Sequence, residues 1–223
     1  MSLIQLSGIV KNYQDGENRL NHVLRGVDIS VERGDFVAVK GFSGAGKTTL
    51  LQILGTLLLP DAGSYIFDGT EMTAAGTDHS AVRNRKIGFV FQDHRLMPQY
   101  CVLENILLPV LAHQSKVKIE QSEYAKKLME ITGISKITKQ YPHTISGGEA
   151  SRAALCRALI MKPLLVLADE PTGQLDSENA RNIALLLSGI NKTLNTTIVM
   201  VTHSDEVSSV AHRVLILEKG VIR

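Results

Sequence analysis

Residues 41–48 read G-F-S-G-A-G-K-T, a full G-x-x-x-x-G-K-T loop, and no other feature restricts this chain's fold as strongly. Glycines let the backbone curl so that several N–H groups converge on one anion, and a following helix adds the positive end of its dipole. The flanks agree. Residues 35–40 (D-F-V-A-V-K) are β-rich and run straight into the loop. From Lys47 the pattern turns helical, with Leu50, Leu51, Ile53, Leu54, Leu57 and Leu58 covering much of a helix surface. Strand, glycine turn and helix together predict a nucleotide phosphate site. In it Lys47 would reach the β- and γ-phosphates and the Thr48 hydroxyl would bind Mg²⁺.

Composition sets the outer limits. At 223 residues and 44% hydrophobic, the chain can bury a large core and fits one domain with room for an added lobe. Lys plus Arg number 24 against 22 Asp plus Glu, so charge gives no push toward nucleic acid or acidic membranes, and no nucleic-acid partner is expected. Cys101 and Cys156 are too few and too scattered for a disulfide framework or a metal site, which fits a reducing setting. The N-terminus shows no basic region followed by an apolar core, so no secretory signal is expected. The densest apolar stretch, residues 50–59, is about half the ~20 residues that cross a bilayer, so any membrane role must run through a separate partner.

Along the chain, residues 3–10 and 22–31 read as strands around the polar turn D-G-E-N at 15–18. P-D-A-G at 60–63 ends the first helix and leads to a short strand at 64–67, and residues 87–92 are another strand. From there to about residue 157 the sequence is helical without a convincing strand, with helix periodicity at 120–131 broken at Gly133. Strand patterns return at 164–168, 197–201 and 214–217, with a helix at 177–194. The alternation predicts an α/β fold whose mainly parallel sheet is covered on both faces, with the strand-free stretch as an inserted helical lobe.

Two further segments carry chemistry. Asp169-Glu170 ends an apolar strand, where doubly wound sheets place their ligands. Asp169 would hold Mg²⁺ and Glu170 would polarise an attacking water, since phosphoryl transfer needs mainly positioning and charge neutralisation. In isolation they would read as two solvated acids before Pro171. Ser146-Gly147-Gly148-Glu149 is a capping box for a helix at 150–160. Yet each glycine in a first turn costs about 1 kcal/mol relative to alanine, more than capping alone requires, and the pair exposes N–H groups suited to phosphate.

Together these segments resemble the ATP-binding subunit of ABC transporters over nearly the whole chain. The resemblance implies a P-loop ATPase with a mainly parallel core, an N-terminal antiparallel β portion and a helical insertion. The core would comprise residues 1–92 and 158–223, and the helical subdomain 93–157. It implies ATP and Mg²⁺ as cofactors and ATP hydrolysis as the activity. Gly41, Ser43, Gly44, Ala45, Gly46, Lys47, Thr48 and Thr49 would cradle the phosphates. Thr48, Gln92 and Asp169 would hold the metal, and Glu170, His203, Gln92 and Lys47 would serve catalysis. Gln92, ending F-V-F-Q, resembles the family's glutamine at the hinge of the helical lobe. His203, ending I-V-M-V-T-H, resembles its switch histidine. Tyr13 stands where the family stacks an aromatic on adenine, and equally where a tyrosine packs at a strand end. Leu175-Asp176 matches the loop that signals between subunits, with Gln174 a variation on G-N-L-D.

Residues 145–149 resemble the family's signature, through which Ser146, Gly147 and Gly148 bind the γ-phosphate held by the other subunit. Its commonest form is L-S-G-G-Q. Here Ile145 and Glu149 differ, and Glu149 sets an anion near the nucleotide, where it is expected to weaken binding or slow hydrolysis. Residues 84–92, 96–98, 102–105 and 169–173 are similar to the lipoprotein-releasing, macrolide-efflux and cell-division group. That similarity implies a homodimer sandwiching two ATP molecules, a separate membrane permease docking near residues 92–105, and a place on the cytoplasmic face of the inner membrane. The short tail after residue 217 favours export or mechanical work over import. A regulatory ATPase signalling to cell-wall machinery stays open as an alternative, as does, more distantly, a soluble ATPase acting on DNA or ribosomes.

Overall fold

The strand at Phe36–Lys40 alternates its burial between two cores, and that alternation organises the rest. The computed structural model describes residues 2–14, 16, 20–112 and 114–223. The first elements are β1 (Ser2–Gln14), β2 (Leu20–Glu32), β3 (Phe36–Lys40), α1 (Lys47–Leu54), β4 (Ala62–Phe67), β5 (Thr70–Glu71), α2 (His79–Lys86) and β6 (Ile87–Val90). The middle holds α3 (Val102–Leu111), α4 (Ile119–Ile131), short 3₁₀ turns at Ser135–Ile137 and Pro142–Thr144, and α5 (Gly147–Leu159). The chain closes with β7 (Leu165–Asp169), α6 (Ser177–Leu194), β8 (Thr197–Thr202), α7 (Asp205–Ser208), β9 (Arg213–Glu218) and β10 (Val221–Ile222).

A six-stranded sheet runs β10-β9-β3-β8-β7-β6 and is parallel except for the terminal β9–β10 hairpin. A second, antiparallel sheet runs β2-β1-β4-β5. Because successive strand side chains point to opposite faces, each central strand feeds two cores. Phe36 and Ala38 of β3, Val166 and Ala168 of β7, and Ile198 and Met200 of β8 pack toward α3–α6. Val37, Val39, Leu165, Leu167, Val199 and Val201 pack toward α1 and the antiparallel sheet. The continuous aliphatic runs seen in the sequence are thus strands buried on both faces.

The expected α/β architecture with a mainly parallel sheet, an antiparallel N-terminal portion and a helical insertion is what the structure has. Among the described residues no strand lies between β6 and β7. Several details differ. α1 stops at Leu54, so Leu57 lies outside it and is half-exposed. The strand expected at 87–92 ends at Val90, and the helix expected at 150–160 starts earlier, at Gly147. α2, polar and without a buried residue, gave no apolar periodicity to read. The polar turn at 15–18 lies, except for Gly16, outside the described residues.

The β4–β5 connection is a two-residue Asp-Gly hairpin loop with positive φ at both positions, 52° at Asp68 and 74° at Gly69, as a type I′ turn requires. Asp68 accepts from Lys86 Nζ at 2.7 Å and pairs with Arg33, tying the ends of α2 and β2 to this turn. Lys86, and behind it Arg33, hold its carboxyl below the ordinary value of 3.8. A carboxylate with a depressed folded-state pKa stabilises above its unfolded value and loses that contribution as pH falls through the folded one. Asp68→Asn keeps a residue tolerant of the left-handed turn and removes only the charge. It is expected to lower the unfolding free energy at neutral pH by about 1 kcal/mol, the partners being partly exposed, and to cost little in acid strong enough to protonate Asp68 in the folded chain. Equal losses in denaturant titrations at both pH values would contradict the ion-pair account.

Candidate nucleotide site

Parallel pairing of β3 with β8, and of β8 with β7, sets three carboxyl ends side by side, with Lys40 opposite Thr202 and Asp169 opposite Val201. The glycine loop leaves the end of β3, Asp169-Glu170 leave β7, and His203 leaves β8. The loop's shape is conformationally demanding. Gly44 and Gly46 have φ of 79° and 99°, and Gly46 caps α1 without any side-chain bond. A Cβ on Gly46 would lie 2.9 Å from Val23 Cγ1, and one on Gly41 would lie 2.4 Å from the Leu217 carbonyl oxygen. The sequence showed the loop but not these neighbours from β2 and β9.

Lys47 Nζ donates to the carbonyls of Gly41 (2.8 Å) and Phe42 (3.1 Å) and lies 4.0 Å from Glu170 Oε1. Glu170 takes a left-handed φ of 44°, which costs a non-glycine residue roughly 1–2 kcal/mol. Its N–H donates to the Val201 carbonyl and its own carbonyl accepts from Gly173 N–H, both at 3.0 Å, so the turn is held from both sides. Glu170 Oε2 is 3.0 Å from His203 Nδ1. Lys47, Glu170 and His203 thus form one chain of contacts across three strand ends, although His203 itself is largely exposed.

Thr48 Oγ1 donates to Asp169 Oδ1 at 3.5 Å. Burial raises the Asp169 pKa, the Glu170 charge adds to that, and Thr48 and Lys47 oppose it. A hydroxyl, a half-buried carboxylate and the nearby Gln92 amide are hard oxygen donors of the kind Mg²⁺ takes. Among the described residues no three His, Cys, Asp or Glu side chains are grouped so as to hold a metal ion by themselves, so a cation here must also draw on phosphate and water oxygens. These groups line two adjoining spaces of about 810 and 390 Å³. The first contains Gly41, Ser43, Lys47, Gln92, Glu170 and His203, and the second adds Gly44, Gly46, Thr48, Thr49 and Asp169. Phe42, Lys40 and Asp205, not singled out from sequence, line the first; Lys40 and Asp205 form an ion pair there. Nothing in their spacing pointed to the site.

Other expected residues lie apart from these spaces. Ser146 caps α5, and its capping box with Glu149 is complete, as the sequence suggested. Gly147 and Gly148 instead face Leu175 and Asn179: a Cβ on each would lie 3.4 Å from Leu175 Cδ2 and 3.2 Å from Asn179 Oδ1. Asp176 caps α6 and accepts from Asn179 N–H at 2.8 Å. The glycine pair and the loop before α6 therefore form one surface, separate from the Lys47 pocket. Tyr13, on β1 opposite Asn21, is 41% exposed and lines neither space.

Residues 24–173 match the sequence profile of the ABC transporter family. The chain belongs to the ABC transporter ATP-binding family. It is 42% identical to the lipoprotein-releasing system ATP-binding protein LolD of Cytophaga hutchinsonii, covering 90% of this chain and 91% of that one. It is 40% identical to the protein of the same description from Bordetella pertussis, covering 97% and 94%. Among solved structures it resembles a dimeric, post-hydrolysis ATP-binding cassette bound to ADP and Pi, with a TM-score of 0.89 at 32% identity over 99% of this chain and 96% of that one. As an ABC cassette the chain binds ATP and is an ATPase, resembling the lipoprotein-releasing group. Among the described residues no helix is long and apolar enough to cross a membrane.

The two loop glycines separate backbone strain from steric contact. A Cβ on Gly44 meets nothing within 4 Å, whereas one on Gly46 meets Val23 and Leu24. Gly44→Ala is expected to lose about 1–2 kcal/mol of stability through its left-handed backbone alone, and Gly46→Ala more, with weaker ATP binding. Thermal unfolding and ATP titration of both variants check this ABC cassette's loop; equal losses would show that the contact with Val23 contributes nothing.

Proposed function

We propose that two copies of this chain close on two ATP molecules head to tail and so drive a separate membrane permease of the lipoprotein-releasing kind, from its cytoplasmic side. One observation carries the reading. Lys47, Glu170 and His203 share a pocket, while Ser146–Gly148 stand on another surface of the same copy with backbone N–H groups at an exposed helix start. A single copy offers half of the contacts a γ-phosphate needs, and the second half must come from a partner. The dimeric cassette to which the chain is similar supports this arrangement, and the names of its curated relatives support the permease.

In the proposed mechanism Lys47 exchanges its bonds to the Gly41 and Phe42 carbonyls for phosphate oxygens, an exchange of neutral for charged acceptors that favours binding. Mg²⁺, when bound, neutralises charge on the β- and γ-phosphates, and Thr48, Asp169 and Gln92 are the residues that would hold it. Glu170 orients and polarises the attacking water, and His203, bonded to Glu170, faces the γ-phosphate. Ser146 and Gly148 of the partner subunit's copy complete the site. Asp176, beside the signature glycines, sits where it would report one site's state to the other. The core is assigned to residues 1–92 and 158–223 and the helical subdomain to 93–157, with Tyr13 at the edge where adenine would stack.

A groove of about 530 Å³ between β6, α3 and α5 suits the permease. Phe89, Phe91, Leu108, Pro109 and Met161 make it apolar, and Arg83, Arg95 and Arg157 edge it. Of residues 92–105 only Arg95 lines it, so the docking site proposed here lies mostly on either side of that segment.

Glu170→Gln removes the charge that activates water and leaves the pocket's shape, so it is expected to bind ATP and accumulate as a dimer, whereas Lys47→Ala stays monomeric. Sedimentation with ATP and Mg²⁺ reads both; a monomeric Glu170→Gln protein at saturating ATP would overturn the sandwich. Recovery of a lipoprotein-releasing permease with tagged Glu170→Gln protein from solubilised membranes supports the partner, and recovery of ribosomes or DNA-bound proteins alone contradicts it.

A further inference from the structure

The loop after β6 holds two consecutive non-glycine residues in the left-handed region, His94 at φ 57° and Arg95 at φ 47°. Residues with a Cβ adopt such backbone reluctantly and keep it only where the surroundings enforce it. The enforcing group is Arg157, in the last turn of α5. Its Nη1 donates to the Arg95 carbonyl at 2.5 Å and its Nη2 to the His94 carbonyl at 2.6 Å. One planar guanidinium on two successive carbonyls fixes both peptide planes at once, which the ammonium of a lysine cannot do. Among the described residues Arg157 makes no ion pair, and these two carbonyls accept its hydrogen bonds. Inside the turn, Arg95 N–H donates to Asp93 O at 2.6 Å and His94 N–H to Phe91 O at 3.0 Å.

Gln92 lies inside this turn and lines the ATP pocket, with its Nε2 3.0 Å from where a Cβ on Gly173 would sit. The helix that carries Arg157 begins at the signature Ser146 and Gly147. We propose that Arg157 is a positioning residue for Gln92. By holding the His94 and Arg95 carbonyls it makes the placement of Gln92 depend on the placement of α5, and so links the two halves of the site within one copy. This rests on the reading that Gln92 serves hydrolysis.

Hydrogen–deuterium exchange on the full chain without nucleotide tests the latch directly. Arg157→Ala is expected to speed exchange at the His94 and Arg95 amides about tenfold or more while the amides of the parallel sheet stay protected. Turnover at saturating ATP should fall about tenfold with the Kd for ATP changed less than about twofold, and more Mg²⁺ should be needed for half-maximal rate. The same substitution should cost less turnover in a His94→Gly, Arg95→Gly background, where the turn no longer needs enforcing. If Arg157→Ala does not fold, Arg157→Lys, which keeps the charge and loses the fork, carries the same measurements. Unchanged exchange at His94 and Arg95, or a loss of turnover that only follows a lower Tm, overturns the proposal. Loosened amides with no change in turnover would instead contradict the role given to Gln92 and leave the latch standing.

Discussion

The parallel pairing of β3, β8 and β7 is the constraint on which the site depends. Nothing in the chemistry of Lys47, Glu170 and His203 would matter if their strands ended at different heights. The register puts Lys40 beside Thr202 and Asp169 beside Val201, so three segments separated by most of the chain's length turn away from the sheet at one level. Both faces of those strands are apolar and buried, and slipping one strand by a residue would carry its side chains to the wrong core. Packing on both faces therefore fixes the geometry of the polar edge.

At that edge the electrostatics are arranged for an anion and a cation together. Asp169 and Glu170 are adjacent acids, and burial with their mutual repulsion keeps Asp169 above the usual carboxylate range. Lys47 is turned back onto loop carbonyls and only approaches Glu170. Bringing phosphate to Lys47 and a hard cation to Asp169 relieves both situations at once, so the two ligands should bind cooperatively. On the other surface, the Ser146 hydroxyl donates to Glu149 Oε2 at 2.8 Å, as does the Ser146 N–H. Those bonds hold the Glu149 carboxyl below its ordinary range. A charged Glu149 thus competes with phosphate for the same serine, a physical reason for the expected weakening where most of the family has glutamine.

Much of this was legible in sequence because it depends on local chemistry. The glycine loop, the aliphatic runs and the Ser146–Glu149 capping box each declare themselves within ten residues, and all appear in the structure as elements or caps. The illegible parts depend on neighbours distant in the chain. That Gly46 is enforced by Val23, that Lys40 pairs with Asp205 and that Arg157 holds the turn after β6 leave no trace in spacing or periodicity. α2 escaped because its partly exposed, polar residues carry no apolar stripe. The Asp68-Gly69 hairpin was a readable signal that the strand pattern alone did not use.

The central claim is that a working site takes its phosphate loop from one copy and its signature from another. Complementation tests it most directly. Lys47→Ala removes the loop's cation and Gly148→Arg blocks the signature surface, and each variant alone should be inactive. Mixed together with ATP and Mg²⁺, they can form a dimer in which one site has an intact Lys47 from one copy and an intact Gly148 from the other. The account predicts ATP turnover in the mixture that neither variant shows alone. Wild-type turnover by the Gly148→Arg protein alone, or a mixture as inactive as its parts although both variants are folded and associate, would contradict it.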